Sequence, residues 1–394
     1  MKDNFMLVVD STDNTMYQIS LMDQSVQGIS VKSAMRRTGV AYSLVDDVLI
    51  FGARSEVSIM HLNGTIKTSF PALLSDNDHL TPKIFAVDYS TGNIYFTAVN
   101  AMRFLDSNQS CISVLSPNGK GRTLVIGLND PSGLVVYPSE GLLFYTEGRY
   151  SAHLGRATMD GSQTSVLLNL NDENPSDLTI DYKSDSLYYI ERNENSVKYC
   201  KFDGSNHNTL VRYHGTIISG LSLFQDYVFI STMAHSGIIK LNISDPNKMT
   251  KFADLGELGK INFISVYSST DQNKNAFCSV DNGGCSTFCF PFPGGGICGC
   301  EDGIKLNEES DKVCSNIPQC PRVSNEIIVS SDCTRVNGSN CDFTCKQGYK
   351  TRAGVDKVLC NGVMYTPVDA CEEITCQKEI PNGVLLEETS DQIC

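Results

Sequence analysis

The pattern of apolar and polar positions repeats about every 45 residues from the start of the chain to about residue 270. In each copy, a short apolar strand leads through a polar turn into a second strand rich in aromatic and β-branched residues, which favours a largely buried sheet. The anchor positions on these second strands are Phe51, Phe96, Tyr145, Tyr189 and Ile230. Blades of four strands produce a period of this length, so the pattern predicts an all-β propeller.

The turns between the third and fourth strands of four copies carry a common dipeptide. They are Asn63-Gly64, Asn118-Gly119, Asp160-Gly161 and Asp203-Gly204. Because these pairs tolerate positive φ angles, we expect two-residue hairpins at all four places.

The two ends of the repeat region complement each other. Apolar stretches near residues 6–10, 16–21 and 28–31 predict three strands of a blade whose first strand is missing. Residues 261–267 predict a single first strand that is not followed by the other three. Pairing them makes a sixth blade and removes the exposed edges of an open array. We therefore predict a complete six-bladed propeller over residues 1–270.

Cysteine usage divides the chain. Only Cys111 and Cys200 precede Cys278, although the chain has 16 cysteines in 394 residues. This density is typical of small disulfide-bonded modules, which need an oxidising compartment. Four glycosylation sequons fit an exported chain; they start at Asn63, Asn108, Asn242 and Asn337.

The chain shows no leader and no membrane-spanning run, and it stops inside a cysteine framework. We therefore expect it to be part of a longer extracellular protein. Its net charge of −14 disfavours nucleic acid as a partner. The charge is compatible either with simple solubility or with attraction of basic protein ligands.

The repeats resemble the YWTD propeller of the low-density lipoprotein receptor family. The consensus places an Asp before a turn and Tyr-Trp-Thr-Asp on the second strand, and the matching copies are Asp88 with Tyr95-Phe96-Thr97, Phe144-Tyr145-Thr146-Glu147, and Asp181 with Tyr188-Tyr189. The chain contains no tryptophan, so it departs from the consensus at that position. The resemblance implies a rigid platform that binds protein ligands through loops around a central channel.

The first six cysteines of the tail resemble an EGF-like framework over residues 275–315, with Asn282-Gly283-Gly284 in the place of the family motif. The resemblance implies three pairs: Cys278 with Cys289, Cys285 with Cys298, and Cys300 with Cys314. Residues 271–277 lack the acidic pair of calcium-binding EGF modules, so we expect no metal.

The next cysteines resemble a sushi, or complement control, module over residues 318–372, with Tyr365 where the family has tryptophan. The resemblance implies pairing of Cys320 with Cys360 and of Cys345 with Cys371. The additional Cys333 and Cys341 would close a local loop. Residues 374–394 resemble the start of a second sushi module, and within it the partners of Cys376 and Cys394 stay unassigned.

The two early cysteines fall on the third strands of the second and fourth blades. A disulfide needs Cα atoms within roughly 7 Å, which these positions do not allow. We therefore predict that Cys111 and Cys200 are free, buried thiols.

The sequence contains no recognisable catalytic triad, and its six histidines show no metal-ligand spacing. We therefore expect neither an enzyme nor a cofactor. In lipoprotein receptors, acid releases ligands partly by charging propeller histidines, and His207 and His214 are candidates for such a pH switch. The alternative is that both are ordinary surface histidines.

These features together predict an extracellular, ligand-binding fragment of a lipoprotein-receptor-related protein at the cell surface. It would bind protein ligands for endocytosis or for signalling of the Wnt co-receptor kind. The principal alternative is a secreted nidogen-like matrix or adhesion protein that uses the same propeller as a binding platform.

Overall fold

The computed structural model describes most of the chain in two compact units. The first comprises Met1–Cys300 with Asp311–Val313, and the second comprises Glu301–Ser310 with Cys314–Cys394. The described residues are 4–10, 15–30, 39–43, 46–53, 55–71, 80–100, 110–148, 152–170, 173–233, 237–254, 260–269, 274–307, 310–315, 320, 326–330, 333, 338–346, 349–361 and 364–374.

Twenty-four strands build most of the first unit. In chain order they are β1 (Phe5–Asp10), β2 (Thr15–Ser20), β3 (Val26–Ser30), β4 (Val40–Ser43), β5 (Val48–Ala53), β6 (Glu56–His61), β7 (Ile66–Pro71), β8 (Leu80–Val87), β9 (Ile94–Asn100), β10 (Ser110–Leu115), β11 (Gly121–Leu128), β12 (Gly133–Tyr137), β13 (Leu142–Glu147), β14 (His153–Thr158), β15 (Thr164–Asn169), β16 (Pro175–Asp181), β17 (Ser186–Glu191), β18 (Ser196–Lys201), β19 (Asn208–Arg212), β20 (Ile218–Phe224), β21 (Tyr227–Thr232), β22 (Gly237–Asn242), β23 (Asp245–Asp254) and β24 (Ile261–Tyr267).

These strands form six antiparallel, four-stranded sheets. Blades one to five are β4–β7, β8–β11, β12–β15, β16–β19 and β20–β23, and blade six has the order β24-β1-β2-β3. Blade six joins the two ends of the ring as predicted, because β24 pairs with β1 from Phe5 opposite Tyr267 to Asp10 opposite Ile261. The first strand of each blade contacts that of the next, and β24 contacts β4, so the ring is closed.

Among the described residues, the hydrophobic core of the ring consists of six clusters, each between two neighbouring blades. All five anchor residues predicted from the repeat are buried, with 0% to 4% of their surface exposed. Burial of one such large side chain contributes about 1.5–3 kcal/mol, so each cluster holds two blades together.

The Asn-Gly and Asp-Gly turns differ from the two-residue hairpins expected. In blade one, Gly64 N donates to His61 O, and His61 N donates to Thr65 O, which leaves three residues in the loop. Only the glycine has a positive φ, of 83°, because the side chain of Asn63 accepts the Thr65 amide at 3.0 Å and holds a type I turn. The hydrogen bonds also give three-residue loops at Gly119 and Gly204, whereas the turn at Gly161 is one residue longer.

Residues 274–300 belong to the same unit as the ring. After a short 3₁₀ turn at Asp281–Gly284, β25 (Phe288–Phe292) and β26 (Gly295–Gly299) form a hairpin. Two disulfides cross this segment, Cys278–Cys289 and Cys285–Cys298.

The hairpin is packed against blades two and three. Phe288 and Phe290 are 0% and 2% exposed and share a core cluster with Tyr95. Asn275 N donates to Ser90 Oγ at 2.6 Å. These contacts join the module to the ring through both apolar packing and hydrogen bonds.

The second unit contains short strands around a small core. They are β27 (Leu306–Asn307), β28 (Ser310–Cys314), β29 (Ile327–Val329), β30 (Asn340–Cys341), β31 (Phe343–Cys345), β32 (Tyr349–Thr351), β33 (Val358–Cys360), β34 (Tyr365–Thr366) and β35 (Cys371–Glu373), of which residues Asp311–Val313 of β28 belong to the first unit. β29 pairs with β31, β30 and β34 flank β33, and β32 pairs with β35. Tyr365 is 4% exposed and packs in the core with Val358 and Cys360, a position that suits a large aromatic ring.

Candidate functional site

A network of polar side chains runs across the fourth blade. Tyr189 on β17 donates its hydroxyl proton to Glu173 Oε2 at 2.7 Å, and Lys198 on β18 donates to Glu173 Oε1 at 2.8 Å. His207, just before β19, places Nε2 at 2.7 Å from Tyr189 Oη, with the two rings nearly parallel. Two residues predicted from different patterns, an anchor aromatic and a candidate switch histidine, are thus in direct contact.

The hydrogen bonds fix the role of each ring atom. A phenol has one proton, and Tyr189 gives it to Glu173, so His207 Nε2 must carry the proton that it shares with Tyr189. A second proton on His207 would therefore leave this bond intact. It would also add a positive charge at 3.9 Å from Glu173 Oε1.

The outer end of the network reaches solvent. Lys198, whose side chain is 12% exposed, also lies 3.5 Å from Glu194, and Glu194 accepts from Arg212 at 3.1 Å. Burial by itself would lower the pKa of Lys198, but its hydrogen bond to Glu173 and the charge of Glu194 outweigh burial and raise it. The hydrogen bond from Arg212 lowers the pKa of Glu194. Since Arg212 is 56% exposed, this end of the network presents charged groups to solvent.

The second candidate histidine does not join this network. His214 is exposed and lies beyond the end of β19, whereas His207 lies before its start. The five-residue strand between them spans about 17 Å, at about 3.3 Å per residue. The structure therefore separates the two candidates, and only His207 has a carboxylate beside it.

Blade three holds a histidine–carboxylate pair that the sequence patterns did not reveal. His153 Nε2 lies 3.4 Å from Glu147 Oε2, and the two residues face each other across β13 and β14. Burial raises the pKa of Glu147, while the amide of Asn129, which donates to Oε1 at 2.8 Å, and the charge of His153 oppose this shift. The signal was present in the sequence, since Glu147 ends a predicted second strand and His153 begins the next one.

The described cysteines of the tail are disulfide-bonded. Besides the two disulfides of the hairpin segment, the second unit contains Cys320–Cys360, Cys345–Cys371 and Cys333–Cys341. Cys300 and Cys314 are also disulfide-bonded. Cys376 and Cys394 lie outside the described residues.

The two early cysteines are buried thiols on the third strands of blades two and four, β10 and β18. Burial raises the pKa of the Cys200 thiol to about 12. A thiol in this state is unreactive near neutral pH.

Two of the four sequons fall on described residues. Asn63 is exposed at the tip of a hairpin, and its Oδ1 accepts from both the amide and the hydroxyl of Thr65, at 3.0 and 2.6 Å. Asn242 is half-buried at the end of β22. Asn108 and Asn337 lie outside the described residues.

Over the described part of the chain, no cluster of three or more His, Cys, Asp or Glu side chains could hold a metal ion. The same residues include no helix that is long and apolar enough to cross a membrane.

The sequence is similar to two insect receptors. It is 28% identical over 255 residues to the vitellogenin receptor Yl of Drosophila melanogaster, a match that covers 63% of this chain and 12% of the receptor. It is 27% identical over 234 residues to the vitellogenin receptor of Solenopsis invicta, which covers 57% of this chain and 12% of that receptor. The chain therefore corresponds to a small part of these relatives, both of which are named as receptors. No family model matches the sequence.

A chain from the crystal structure of a nidogen–laminin complex has a similar fold. Its TM-score is 0.55 at 18% sequence identity, and the match covers 67% of this chain and 98% of that one. At this identity the likeness concerns the fold alone. Together with the receptor matches and the closed six-bladed ring, it supports a YWTD-type propeller like that of the low-density lipoprotein receptor family. The chain is thus similar in sequence to a segment of these two receptors.

Proposed function

We propose that this chain is the extracellular, non-enzymatic part of a lipoprotein-receptor-related cell-surface receptor that captures secreted protein ligands for endocytosis. The observation that carries the proposal is the sequence match of this chain to two receptors named for vitellogenin. Vitellogenin-class lipoproteins are therefore the first ligands to test. The disulfide-bonded tail supports an extracellular location.

The exposed end of the blade-four network is the proposed contact surface. It combines Arg212 and Glu194, which are 56% and 42% exposed, with a rigid support of buried hydrogen bonds at Tyr189. Arginine held by a carboxylate on a rigid scaffold is a frequent anchor at protein interfaces.

Residues 275–315 and 318–372 are proposed to be an EGF-like and a sushi module, and residues 374–394 the beginning of a second sushi module. The pairing of Cys278 with Cys289 and of Cys345 with Cys371 supports the first two assignments. Peptide mapping without reduction would test them, since cross-linked peptides with any other pairing would contradict the module assignments.

A nidogen-like matrix function is the second candidate. It is favoured by the fold likeness to a chain of the nidogen–laminin complex. In that case the same propeller would hold a matrix partner without internalising it.

Binding of the secreted chain to a purified vitellogenin-class lipoprotein and to laminin, measured in parallel by biolayer interferometry at pH 7.4 and pH 5.5, distinguishes these functions. We expect saturable binding of the lipoprotein with a micromolar or tighter Kd. Binding of laminin alone would favour the matrix function. Binding of neither ligand would contradict both named partners.

Matched substitutions locate the contact surface. Arg212→Ala should weaken binding by about 30-fold if Arg212 is an anchor, since loss of such a residue costs about 2 kcal/mol. The control is Lys183→Ala, which removes another exposed cation, paired with Asp226 at 3.5 Å. Equal affinity of both variants would place the ligand elsewhere. His207→Ala should alter the pH dependence of binding, whereas His214→Ala should not.

A further inference from the structure

The tip of the β6–β7 hairpin in blade one carries an acceptor sequence for N-linked sugar. Asn63-Gly64-Thr65 has the Asn-x-Ser/Thr pattern that is glycosylated on the surface of secreted proteins. Asn63 and Thr65 are both exposed, and Asn63 belongs to the turn rather than to either strand. A bulky polar group attached to Asn63 would therefore extend into solvent without disturbing the blade.

The side-chain amide of Asn63 is held in one orientation. Its Oδ1 accepts from Thr65 N at 3.0 Å and from Thr65 Oγ1 at 2.6 Å. Because a backbone amide can only donate a hydrogen bond, the atom that faces Thr65 N must be the oxygen. Nδ2, the atom to which a sugar would be attached, makes no hydrogen bond to any part of the chain that the structure describes. Attachment of a sugar at Nδ2 would therefore break no hydrogen bond of the turn.

The second described acceptor sequence, Asn242-Ile243-Ser244, is less accessible. Asn242 is half-buried at the end of β22. The next residue, Ile243, packs against the core cluster between blades four and five, and its amide donates to Asp226 O at 2.9 Å. Oδ1 of Asn242 accepts the Ser244 amide at 2.8 Å, but over the described residues it accepts no bond from the Ser244 hydroxyl. A glycan on Asn242 would have to displace neighbouring groups, whereas a glycan on Asn63 would not.

We propose that Asn63 is an N-glycosylation site and that a larger fraction of chains carries a glycan at Asn63 than at Asn242. The sugar donor is an oligosaccharide linked to a lipid pyrophosphate. The bond from sugar C1 to the pyrophosphate oxygen breaks, and a bond from C1 to Asn63 Nδ2 forms. Nδ2 loses one proton, and the lipid pyrophosphate leaves with the electron pair of the broken bond. This inference rests on the extracellular location in the proposed function, but not on the ligand.

Mass spectrometry of intact glycopeptides tests the site. The chain is secreted from cultured animal cells, digested, and analysed before and after treatment with peptide N-glycosidase. We expect a glycan on Asn63 in most copies and a lower occupancy at Asn242. The intact glycopeptide is measured because an Asn-Gly pair can also convert to Asp without having carried a sugar.

Matched variants separate the acceptor sequence from the turn that contains it. Asn63→Gln and Thr65→Ala should both lose the glycan on this peptide, since each removes one essential group of the acceptor pattern. Thr65→Ser is the control, because it keeps a hydroxyl group at the same position, and it should retain the glycan.

Two results would overturn the proposal. One is an unmodified Asn63 in wild-type chains that are secreted and disulfide-bonded, and the other is a higher occupancy at Asn242 than at Asn63. Neither result bears on the receptor function, because the experiment itself directs the chain into the secretory pathway. Failure of the receptor function would appear separately, as absence of lipoprotein binding by a chain that carries the glycan.

Discussion

Docking of the disulfide-bonded hairpin on the propeller should depend on Phe290. Its ring is 2% exposed, stacks on Phe288 with centroids 5.4 Å apart, and lies 5.4 Å from the guanidinium carbon of Arg122. Phe290→Ala removes this ring from the cluster that blades two and three share with the hairpin. The perturbation therefore acts at the boundary between the hairpin and the ring.

The magnitude can be worked from these contacts. Truncation of a buried phenylalanine to alanine costs about 3–5 kcal/mol, and loss of the cation–π contact with Arg122 adds about 0.5–2 kcal/mol. Because two disulfides hold the hairpin internally, we expect much of the loss to appear as detachment of the hairpin from the ring. A loss of about 3 kcal/mol would raise the detached population more than 100-fold.

Hydrogen exchange measures this population directly. The amide of Asn275, which donates to Ser90 Oγ across the boundary, should exchange about 100-fold faster in Phe290→Ala at fixed pH. Ile297→Ala is the matched control, because Ile297 pairs with Phe290 in the same hairpin but is 47% exposed. Equal protection of Asn275 in the two variants would refute the reasoning.

Three further outcomes follow from individual contacts. Gly155→Ala should destabilise the propeller by at least about 2 kcal/mol, because the new methyl group would collide with the ring of Tyr145. Gly237→Ala is the control and should be nearly neutral, because its surroundings leave room for a methyl group. Similar melting temperatures of the two variants would contradict this. Tyr189→Phe should cost about 1–3 kcal/mol in denaturant unfolding, since it removes the donor to the Glu173 carboxylate, and an unchanged midpoint would disprove that role. The Cys200 thiol, with its pKa raised to about 12, should resist iodoacetamide at pH 8 until the protein unfolds, and rapid labelling of the native chain would be inconsistent with its burial.

Local sequence patterns were sufficient to predict the blades and their closure. The alternation of apolar residues identifies second strands such as Leu142–Glu147. The three strands at the start of the chain and the single strand at the end of the repeat region form a complete blade only by pairing with each other. The predicted hairpin type was wrong. The Asn-Gly pair does not reveal that the side chain of Asn63 accepts a hydrogen bond from the Thr65 amide.

The candidate site was only partly predictable. His207 was predicted as a candidate, but its contacts were not. Tyr189, which contacts both Glu173 and His207, is 16 and 18 residues away from them in the sequence. The contact between blades four and five, in which the Leu221 amide donates to Asp177 Oδ2 44 residues away, had no sequence signal either. Contacts of this kind are set by tertiary packing, which the periodicity of one strand does not encode.

Uptake of a labelled vitellogenin-class lipoprotein by cells that express the full-length protein tests the central claim most directly. The account predicts surface binding and internalisation that excess secreted chain competes away, and weaker uptake in cells expressing Arg212→Ala than in cells expressing Lys183→Ala. Secretion of the full-length protein into the matrix, with no lipoprotein bound or internalised, would contradict the receptor function.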